Sequence, residues 1–270
     1  MRYKLLPDET PIPAIGLGTW DVGGGMTPDY SQDTSLVARL KEIIGMGYTH
    51  IDTAEMYGGT HTEELVGQAI ADFDRDSLFM TTKVWRTNLS YDGVHQALNG
   101  SLQRLGIEAV DLYLIHWPDA ETPLSETFRA LNELVASGKV KRLGVSNFDV
   151  PLLKQAIDLA DTPIMTNQVR YNLLSRVPEQ NGVLSFCQEN NIILTAYSPL
   201  KDGVLSHKAV THIADQLNVT PGQVAINWLV RQENVITIPK SMTPAHLQQN
   251  LDALDIDLPE DMVEQLNSIT

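Results

Sequence analysis

The feature that most constrains this chain is an alternation, repeated eight times, between short β-rich runs and amphipathic helical stretches. The β-rich runs cover residues 14–18, 49–52, 78–83, 110–116, 140–146, 164–169, 192–197 and 235–238. The predicted helices cover residues 34–46, 63–73, 91–105, 124–137, 151–159, 178–189, 208–217 and 244–254, and an extra helix covers 223–231. Strands that alternate with helices in this way predict a parallel sheet with helices packed on it.

Two α/β architectures contain such an alternation. A doubly wound sheet that binds a dinucleotide carries the glycine pattern G-x-G-x-x-G after its first strand, directly before a helix. Residues 16–23 lack the third glycine at that spacing, and no helix follows at once. The count of eight strands therefore favours the closed (β/α)₈ barrel, or TIM barrel. Residues 3–6 and 12–14 flank a turn at 7–10 and predict a β-hairpin that plugs the N-terminal end of the barrel.

Residues typical of helix ends support these boundaries. Glycines, which commonly terminate helices, stand near the ends of predicted helices at Gly45, Gly47, Gly106 and Gly138. Thr60 and Glu63 have the spacing of a capping box, so we expect them to begin the second helix together.

Composition and charge indicate a single folded domain spanning residues 1–270 and narrow its partners. Hydrophobic residues make up 43% of the chain, which is ample for a core, and no linker or low-complexity segment interrupts it. The formal net charge of -15 disfavours nucleic acid and anionic lipid as partners. The sequence has no apolar run of about 18 residues that could span a membrane, and its start lacks the apolar segment of a signal peptide.

The cysteine content fits a reducing compartment, so we expect a cytoplasmic protein. Separately, we expect the protein to be a monomer. Cys187 is the single cysteine and cannot form an internal disulfide. It is either a nucleophile or a small buried residue of a helix, and the frequent burial of free cysteines favours the second interpretation.

Polar side chains end three consecutive predicted strands. Asp52 ends the second strand, Lys83 the third and His116 the fourth, and Tyr57 lies on the loop that follows Asp52. Active sites of (β/α)₈ barrels lie at the carboxyl ends of the strands, so we expect these four side chains to meet at one rim. Each residue alone could be structural, as a buried ion pair, a core histidine or a packing aromatic. Their joint placement favours an active site.

A phenol, an ammonium, a carboxylate and an imidazole at one rim suit proton transfer to a carbonyl oxygen. A free tyrosine has a pKa of about 10, and we expect the Lys83 ammonium to lower the pKa of Tyr57 while Asp52 keeps Lys83 charged and aimed. Tyr57 is then the general acid for a developing alkoxide. His116 is expected to donate a hydrogen bond to the same oxygen and orient the carbonyl.

The motifs around these four residues resemble those of the aldo-keto reductase family. The matching segments are HIDTA around Asp52, EMYG around Tyr57, TTKVW around Lys83 and LIHWP around His116. The resemblance extends from residues 12–20 to about residue 250 and is greatest to short prokaryotic members, similar to the 2,5-diketogluconate reductases. It implies an enzyme that reduces aldehydes and ketones to alcohols with a hydride from C4 of the nicotinamide of NADPH.

The resemblance also implies a site for the cofactor. Ser146, Asn147 and Gln168 match positions that hold the nicotinamide carboxamide, and Tyr197 matches the aromatic residue that stacks on the nicotinamide ring. Further cofactor contacts are implied for Gly18, Thr19, Trp20, Asp52, Ser198, Leu200, Ile238, Lys240, Ser241, His246, Gln249 and Asn250. Among them, Lys240 and Ser241 offer a charge and a hydrogen-bond donor to the 2′-phosphate of NADP.

Two positions of the implied phosphate site depart from the family pattern. Many relatives carry arginine where this chain has His246 and glutamate where it has Gln249, whereas Asn250 is retained. The lost arginine removes a permanent charge. We therefore expect NADP(H) to be preferred, because Lys240 remains, and NAD(H) to be accepted as well. Free histidine loses its charge near pH 6.5, so we expect NADPH affinity to fall as the pH rises through that value.

Three tryptophans follow predicted strand ends. We expect Trp20, Trp85 and Trp117 to form, with Tyr57 and His116, the substrate pocket, although indoles can also serve only to pack a barrel mouth. Longer relatives carry a C-terminal tail that closes over the substrate, and this chain ends soon after its last barrel helix. We expect an open pocket and a broad range of small aldehydes and ketones.

Two functions from other classes are alternatives. Some barrels of this family sense NADP(H) as non-catalytic channel subunits, and the complete set of four polar residues argues against that function. A metal-dependent hydrolase would use Asp52 and His116. The other histidines lack metal-ligand spacing, so we expect no metal site.

Overall fold

Eight parallel strands form the centre of the computed structural model, which describes residues 2–269. Each strand pairs with the next in chain order, and the two outermost strands meet at a parallel bridge between Ile15 and Thr237. There the Gly16 amide donates to the Thr237 carbonyl at 2.9 Å, and the Thr237 amide donates to the Ala14 carbonyl at 3.0 Å. The sheet is thus closed, which confirms the (β/α)₈ barrel and excludes the doubly wound alternative.

All eight predicted barrel strands are present, most of them shorter by a few residues. They are β3 (Leu17–Gly18), β4 (His50–Asp52), β5 (Phe79–Val84), β6 (Leu112–Ile115), β7 (Leu143–Ser146), β8 (Ile164–Arg170), β9 (Ile193–Tyr197) and β10 (Val235–Thr237). They follow an antiparallel hairpin of β1 (Tyr3–Leu5) and β2 (Pro11–Pro13).

The helices form the layer outside the barrel. They are α1 (Asp33–Gly45), α2 (His61–Ile70), α3 (Tyr91–Leu105), α4 (Leu124–Ala136), α5 (Val150–Leu159), α6 (Val177–Gln180), α7 (Val183–Glu189), α8 (Lys208–Leu217), α9 (Pro221–Val230), α10 (Pro244–Asp252) and α11 (Glu260–Asn267). The prediction of one helix over 178–189 is wrong, because Gly182 has a left-handed φ of 78° that separates α6 from α7. The sequence analysis missed α11, whose acidic residues face solvent while Val263 and Leu266 are buried.

The start of α2 differs from the predicted capping box. Thr60 has a left-handed φ of 86° and its side chain caps no helical amide. Glu63 is fully buried instead, and it accepts hydrogen bonds from Thr82 Oγ1 at 2.5 Å and Arg104 Nε at 2.8 Å. The hydrogen bonds of Glu63 to Thr82 and Arg104 therefore replace the capping contact that the local sequence predicts. A capping box does occur at α9, between Thr220 and Gln223. Of the four predicted glycine stops, Gly47, Gly106 and Gly138 have positive φ, whereas Gly45 is still helical as the last residue of α1.

The hairpin covers the N-terminal end of the barrel as predicted. Leu6 and Ile12, next to and within its strands, belong to one buried cluster with inward-facing barrel residues, namely Leu112, Leu114, Met165, Ile193 and Ile236. Arg142 stabilises the turn of the hairpin, because its Nη2 donates a hydrogen bond to Thr10 Oγ1 at 2.6 Å.

Ile12 gives a direct test of the plug. Truncating a fully buried isoleucine removes its burial and leaves a cavity, so Ile12→Ala should lower the free energy of unfolding by about 2–5 kcal/mol. Urea denaturation followed by circular dichroism measures this change. Leu5→Ala in the same hairpin is the control, since Leu5 is 59% exposed and should change stability by less than about 0.5 kcal/mol. Equal losses in the two variants would contradict the plug.

Candidate active site

The barrel brings the four predicted catalytic side chains to one rim. Asp52 ends β4, Lys83 lies one residue before the end of β5, and His116 directly follows β6. Parallel strands carry these residues to the same end of the sheet. Tyr57 reaches them from the loop between β4 and α2, and it is buried beside them.

Lys83 is the centre of this cluster. Its Nζ donates to Asp52 Oδ1 at 2.6 Å, to the Thr53 carbonyl at 2.8 Å and to Tyr57 Oη at 3.2 Å. These three acceptors match the three hydrogens of an ammonium group. Gln168 Nε2 donates to the other Asp52 oxygen at 2.8 Å, so both carboxylate oxygens are satisfied. The network fixes where the charge of Lys83 points.

Burial and charge compete over the pKa of Tyr57. Burial raises the pKa of Tyr57 above its ordinary value, and the nearby Lys83 charge offsets only part of that rise. Lys83 acts in the expected direction, but the expectation of a lowered net pKa for Tyr57 is wrong, because a buried phenolate loses more solvation than one ammonium restores. Tyr57 remains a protonated donor at neutral pH. Burial lowers the pKa of Lys83, but Asp52 and Tyr57 together outweigh it, so the pKa of Lys83 is raised and the amine stays charged.

His116 is a neutral imidazole in this setting. Burial, assisted by the charge of Lys83, lowers the pKa of His116 to about 2. Its ring lies edge-on to Tyr57 at 5.6 Å and to Trp85 at 5.1 Å between ring centroids. Within the described part of the chain, no group hydrogen-bonds to its Nδ1. A neutral ring offers one N–H donor without adding a second positive charge beside Lys83.

Glu55 is a buried acid that the sequence analysis did not single out. Its carboxylate accepts hydrogen bonds from the backbone amide of Trp85 and from Asn88 Nδ2, the latter at 2.9 Å. Burial raises the pKa of Glu55. These bonds tie the loop that carries Tyr57 to the end of β5, which carries Lys83. Its place between Asp52 and Tyr57 in the HIDTAEMY segment is the only local signal that could have indicated it.

A cavity of about 1030 Å³ opens above this cluster. Its wall includes every residue that the resemblance implied for the cofactor: Gly18, Thr19, Trp20, Asp52, Ser146, Asn147, Gln168, Tyr197, Ser198, Leu200, Ile238, Lys240, Ser241, His246, Gln249 and Asn250. The sequence analysis missed other wall residues, which come mostly from the loops after β3, β9 and β10 and the start of α9: Asp21, Pro199, Lys201, Leu205, Thr220, Pro221, Gly222 and Pro239.

Polar groups on one side of the cavity are linked to each other. Ser146 Oγ donates to the Gln168 carbonyl at 2.8 Å, and Asn147 Nδ2 donates to Ser146 Oγ at 2.9 Å. Tyr197 Oη donates to Asn147 Oδ1 at 3.0 Å, which fixes the half-buried Tyr197 ring in the wall. These contacts hold amide and hydroxyl groups in place for a polar, planar ligand.

The three tryptophans are not equivalent. Trp20 and Trp117 line the cavity and remain 43% and 41% exposed. Trp20 also contacts Tyr57 edge-on, with ring centroids 5.0 Å apart. Trp85 lies outside the cavity wall and packs against His116 instead. Of the three tryptophans expected in the substrate pocket, Trp20 and Trp117 thus line the cavity and Trp85 does not.

Other functional groups considered from the sequence have structural surroundings. Burial raises the pKa of the Cys187 thiol to about 12, which suits a packing residue and not a nucleophile. No group of three or more potential metal-binding side chains occurs among residues 2–269. Both oxygens of Asp52 are engaged by Lys83 and Gln168, which leaves the hydrolase alternative without its carboxylate ligand. In the same described range, no helix is long and apolar enough to cross a bilayer.

Comparison with known proteins agrees with this architecture. Residues 14–270 match the Aldo/keto reductase family, and the chain belongs to that family. Over 267 residues it is 37% identical to methylglyoxal reductase YeaE of Escherichia coli, covering 96% of this chain and 92% of that protein.

Solved structures of the family superpose closely. The thermostable aldo-keto reductase Tm1743, in complex with the inhibitor epalrestat, is 48% identical with a TM-score of 0.98, and both chains are covered completely. An aldo-keto reductase from Klebsiella pneumoniae in complex with NADPH is 37% identical with a TM-score of 0.89, over 99% of this chain and 95% of that one. A putative 2,5-diketo-D-gluconic acid reductase B is 32% identical with a TM-score of 0.87, over 100% of this chain and 92% of that one. The resemblance to that group is thus confirmed.

The buried histidines predict how stability depends on pH. Burial lowers the pKa of His50 to about 4 and the pKa of His116 to about 2. Below about pH 6.5 the unfolded chain binds protons at these histidines that the folded chain does not, so stability falls as the pH falls. Each histidine should lower the free energy of unfolding by about 2 kcal/mol between pH 7 and pH 5.

His116→Asn should remove one of these two contributions. Urea denaturation at pH 7 and pH 5 should therefore show a pH-dependent loss about 2 kcal/mol smaller than in the parent. His212→Asn is the control, because His212 is exposed. Identical losses in the parent and in His116→Asn would show that His116 titrates in the folded protein as it does in the unfolded chain.

Proposed function

We propose that this protein is an NADP(H)-dependent reductase that converts aldehydes and ketones to alcohols, with Tyr57 as the general acid. The observation that carries the proposal is the 3.2 Å hydrogen bond from Lys83 Nζ to Tyr57 Oη at the base of the cavity. A protonated phenol beside a fixed ammonium is suited to release a proton to an oxygen that gains negative charge.

The cavity residues fit the cofactor. Gln168 donates through Nε2 to Asp52, and within residues 2–269 no group donates to its Oε1, which is therefore free to accept from a carboxamide. The Tyr197 ring, held by Asn147, offers a flat apolar surface for a nicotinamide. Lys240 and Ser241 offer a charge and a donor to a phosphate. The Klebsiella pneumoniae relative whose structure contains NADPH supports the same assignment.

Once bound, the reduced nicotinamide supplies a hydride to the carbonyl carbon. Residues of this chain act on the carbonyl oxygen. Tyr57 donates a proton to it, and the ammonium of Lys83 stabilises the resulting phenolate. Asp52 keeps Lys83 charged and aimed. The neutral N–H of His116 orients the carbonyl, and no second cation is introduced beside Lys83.

Tyr57→Phe tests the proton transfer. The phenyl ring keeps its packing against Trp20 and His116 but has no proton to give, so the rate of NADPH oxidation with methylglyoxal should fall by about 10²–10⁴-fold. NADPH binding, measured by fluorescence, should change by less than about twofold. Tyr30→Phe is the control, since Tyr30 is exposed and outside the cavity wall.

Two results would count against the proposal. A Tyr57→Phe variant as fast as the parent would remove Tyr57 from the acid role. A parent protein that binds NADPH and reduces no aldehyde would favour the cofactor-sensing function over the enzyme.

His246 lines the same cavity as Lys240, and we propose that it contributes charge to the 2′-phosphate site. A protonated imidazole attracts phosphate, so the parent should bind NADPH more tightly than His246→Gln, and by a larger factor at pH 5.5 than at pH 8. Fluorescence titrations of both proteins with NADPH at the two pH values measure this factor, because titration of the phosphate itself affects both proteins alike. Equal affinities of the parent and His246→Gln at pH 5.5 would exclude this role.

The exposed Trp20 and Trp117 leave the substrate side of the cavity open, and we propose a broad substrate range. Aliphatic aldehydes, aromatic aldehydes and keto esters should all be reduced, with kcat/KM values within about 100-fold of each other, since an apolar wall discriminates weakly between apolar groups. Steady-state assays with such a panel provide the measurement. Turnover confined to one of these classes would contradict an open pocket.

A further inference from the structure

Asp21 places a negative charge in the part of the cavity proposed to bind phosphate. It lies on the loop after β3 and lines the cavity. Its Oδ2 is 4.0 Å from Nζ of Lys240, which follows β10. The wall contains one other carboxylate, that of Asp52, and Lys83 pairs with it at 2.6 Å. Lys240 is therefore the cation nearest to Asp21, and the two groups are too far apart for a direct hydrogen bond.

The backbone fixes the position of residue 21. Gly18 approaches the residue after β10 so closely that a Cβ on it would lie 2.6 Å from the Ile238 carbonyl oxygen. The Gly18 amide donates to the Pro239 carbonyl at 3.3 Å, so the loop after β3 starts beside the segment that carries Lys240. Asp21 itself has a left-handed φ of 65° and bridges to Gly24. This tight turn fixes the backbone from which the Asp21 side chain extends.

The turn does not require a charge at residue 21. Aspartate, asparagine and glycine are the residues that most readily adopt a left-handed φ. Asparagine or glycine would therefore form the same turn as Asp21, and the carboxylate needs another explanation.

The distance to Lys240 indicates what the carboxylate does. At 4.0 Å the two groups attract without a direct hydrogen bond. No group in the described chain accepts a hydrogen bond from Lys240 Nζ, which is therefore free to bind a phosphate at about 2.8 Å. A phosphate monoester carries a charge of about -1.5 to -2 near neutral pH. Such a group beside Lys240 would be repelled by Asp21 and would compete with it for the lysine.

We propose that Asp21 is a specificity-determining residue that weakens selection for the 2′-phosphate and so allows NADH to be used beside NADPH. This inference rests on the proposed function, in which Lys240 holds that phosphate. The pair is largely exposed, with 38% of Lys240 and 60% of Asp21 accessible, so its effect is that of a surface charge pair. Removing the carboxylate should therefore change affinity by about two- to fivefold.

The test compares two nucleotides that differ only in the 2′-phosphate and cannot be turned over. Adenosine 2′,5′-bisphosphate and adenosine 5′-monophosphate are titrated calorimetrically into the parent, Asp21→Asn and Asp21→Gly. Both variants keep a residue that tolerates the left-handed turn. The ratio of bisphosphate to monophosphate affinity should rise by about two- to fivefold in both, and the rise should shrink at about 0.5 M salt.

Asp29→Asn is the matched control for net charge. Asp29 lies on the same loop, outside the cavity wall, and its carboxylate accepts from the Ser31 amide at 2.9 Å, a bond that asparagine can keep. An unchanged or lowered affinity ratio in the Asp21 variants, or an equal rise in Asp29→Asn, would overturn the role of Asp21. A parent that binds neither nucleotide nor NADPH would instead overturn the proposed function.

Discussion

The ion pair between Lys83 and Asp52 is the interaction on which the mouth of the barrel depends. Both side chains are almost completely buried, and removing such charges from water costs several kcal/mol for each ion. The cost is offset because the ammonium has three acceptors and the carboxylate has two donors, Lys83 and Gln168. A pair of this kind contributes little net stability. Its value lies in fixing the position of a charge beside Tyr57.

That pair also connects parts of the barrel that are distant in the chain. Asp52 belongs to β4, Lys83 to β5 and Gln168 to β8, and the Gln168 carbonyl accepts the Ser146 hydroxyl at the end of β7. Hydrogen bonds thus cross the barrel interior and then follow its rim. The bonds of Lys83 to Asp52 and of Ser146 to Gln168 join neighbouring strands, whereas the bond of Gln168 to Asp52 joins β8 to β4 across the barrel and links the acid to the wall of the cavity.

The prediction of the fold succeeded because its signals are local. A short apolar run forms a buried strand, and the amphipathic period of the following segment predicts a helix on the outside. Polar residues such as Asp52 and His116 mark where strands end, and the barrel rule assigns strand ends to one rim. One failure, the helix broken at Gly182, had a local cause, and another occurred where distant groups outweighed local preference. Glu63 is drawn from its capping position into a network with Thr82 and Arg104.

By itself, the sequence determined the eight strands, the barrel, the family and the four polar groups at the rim, because each depends on residue type and spacing along the chain. Only the tertiary structure decided the direction of the Tyr57 pKa shift, the burial of Glu55 beside Trp85 and the approach of Asp21 to Lys240. These properties depend on loss of solvent and on distances between residues far apart in the chain. Neither quantity is encoded in a local pattern, since both are set by closure of the sheet.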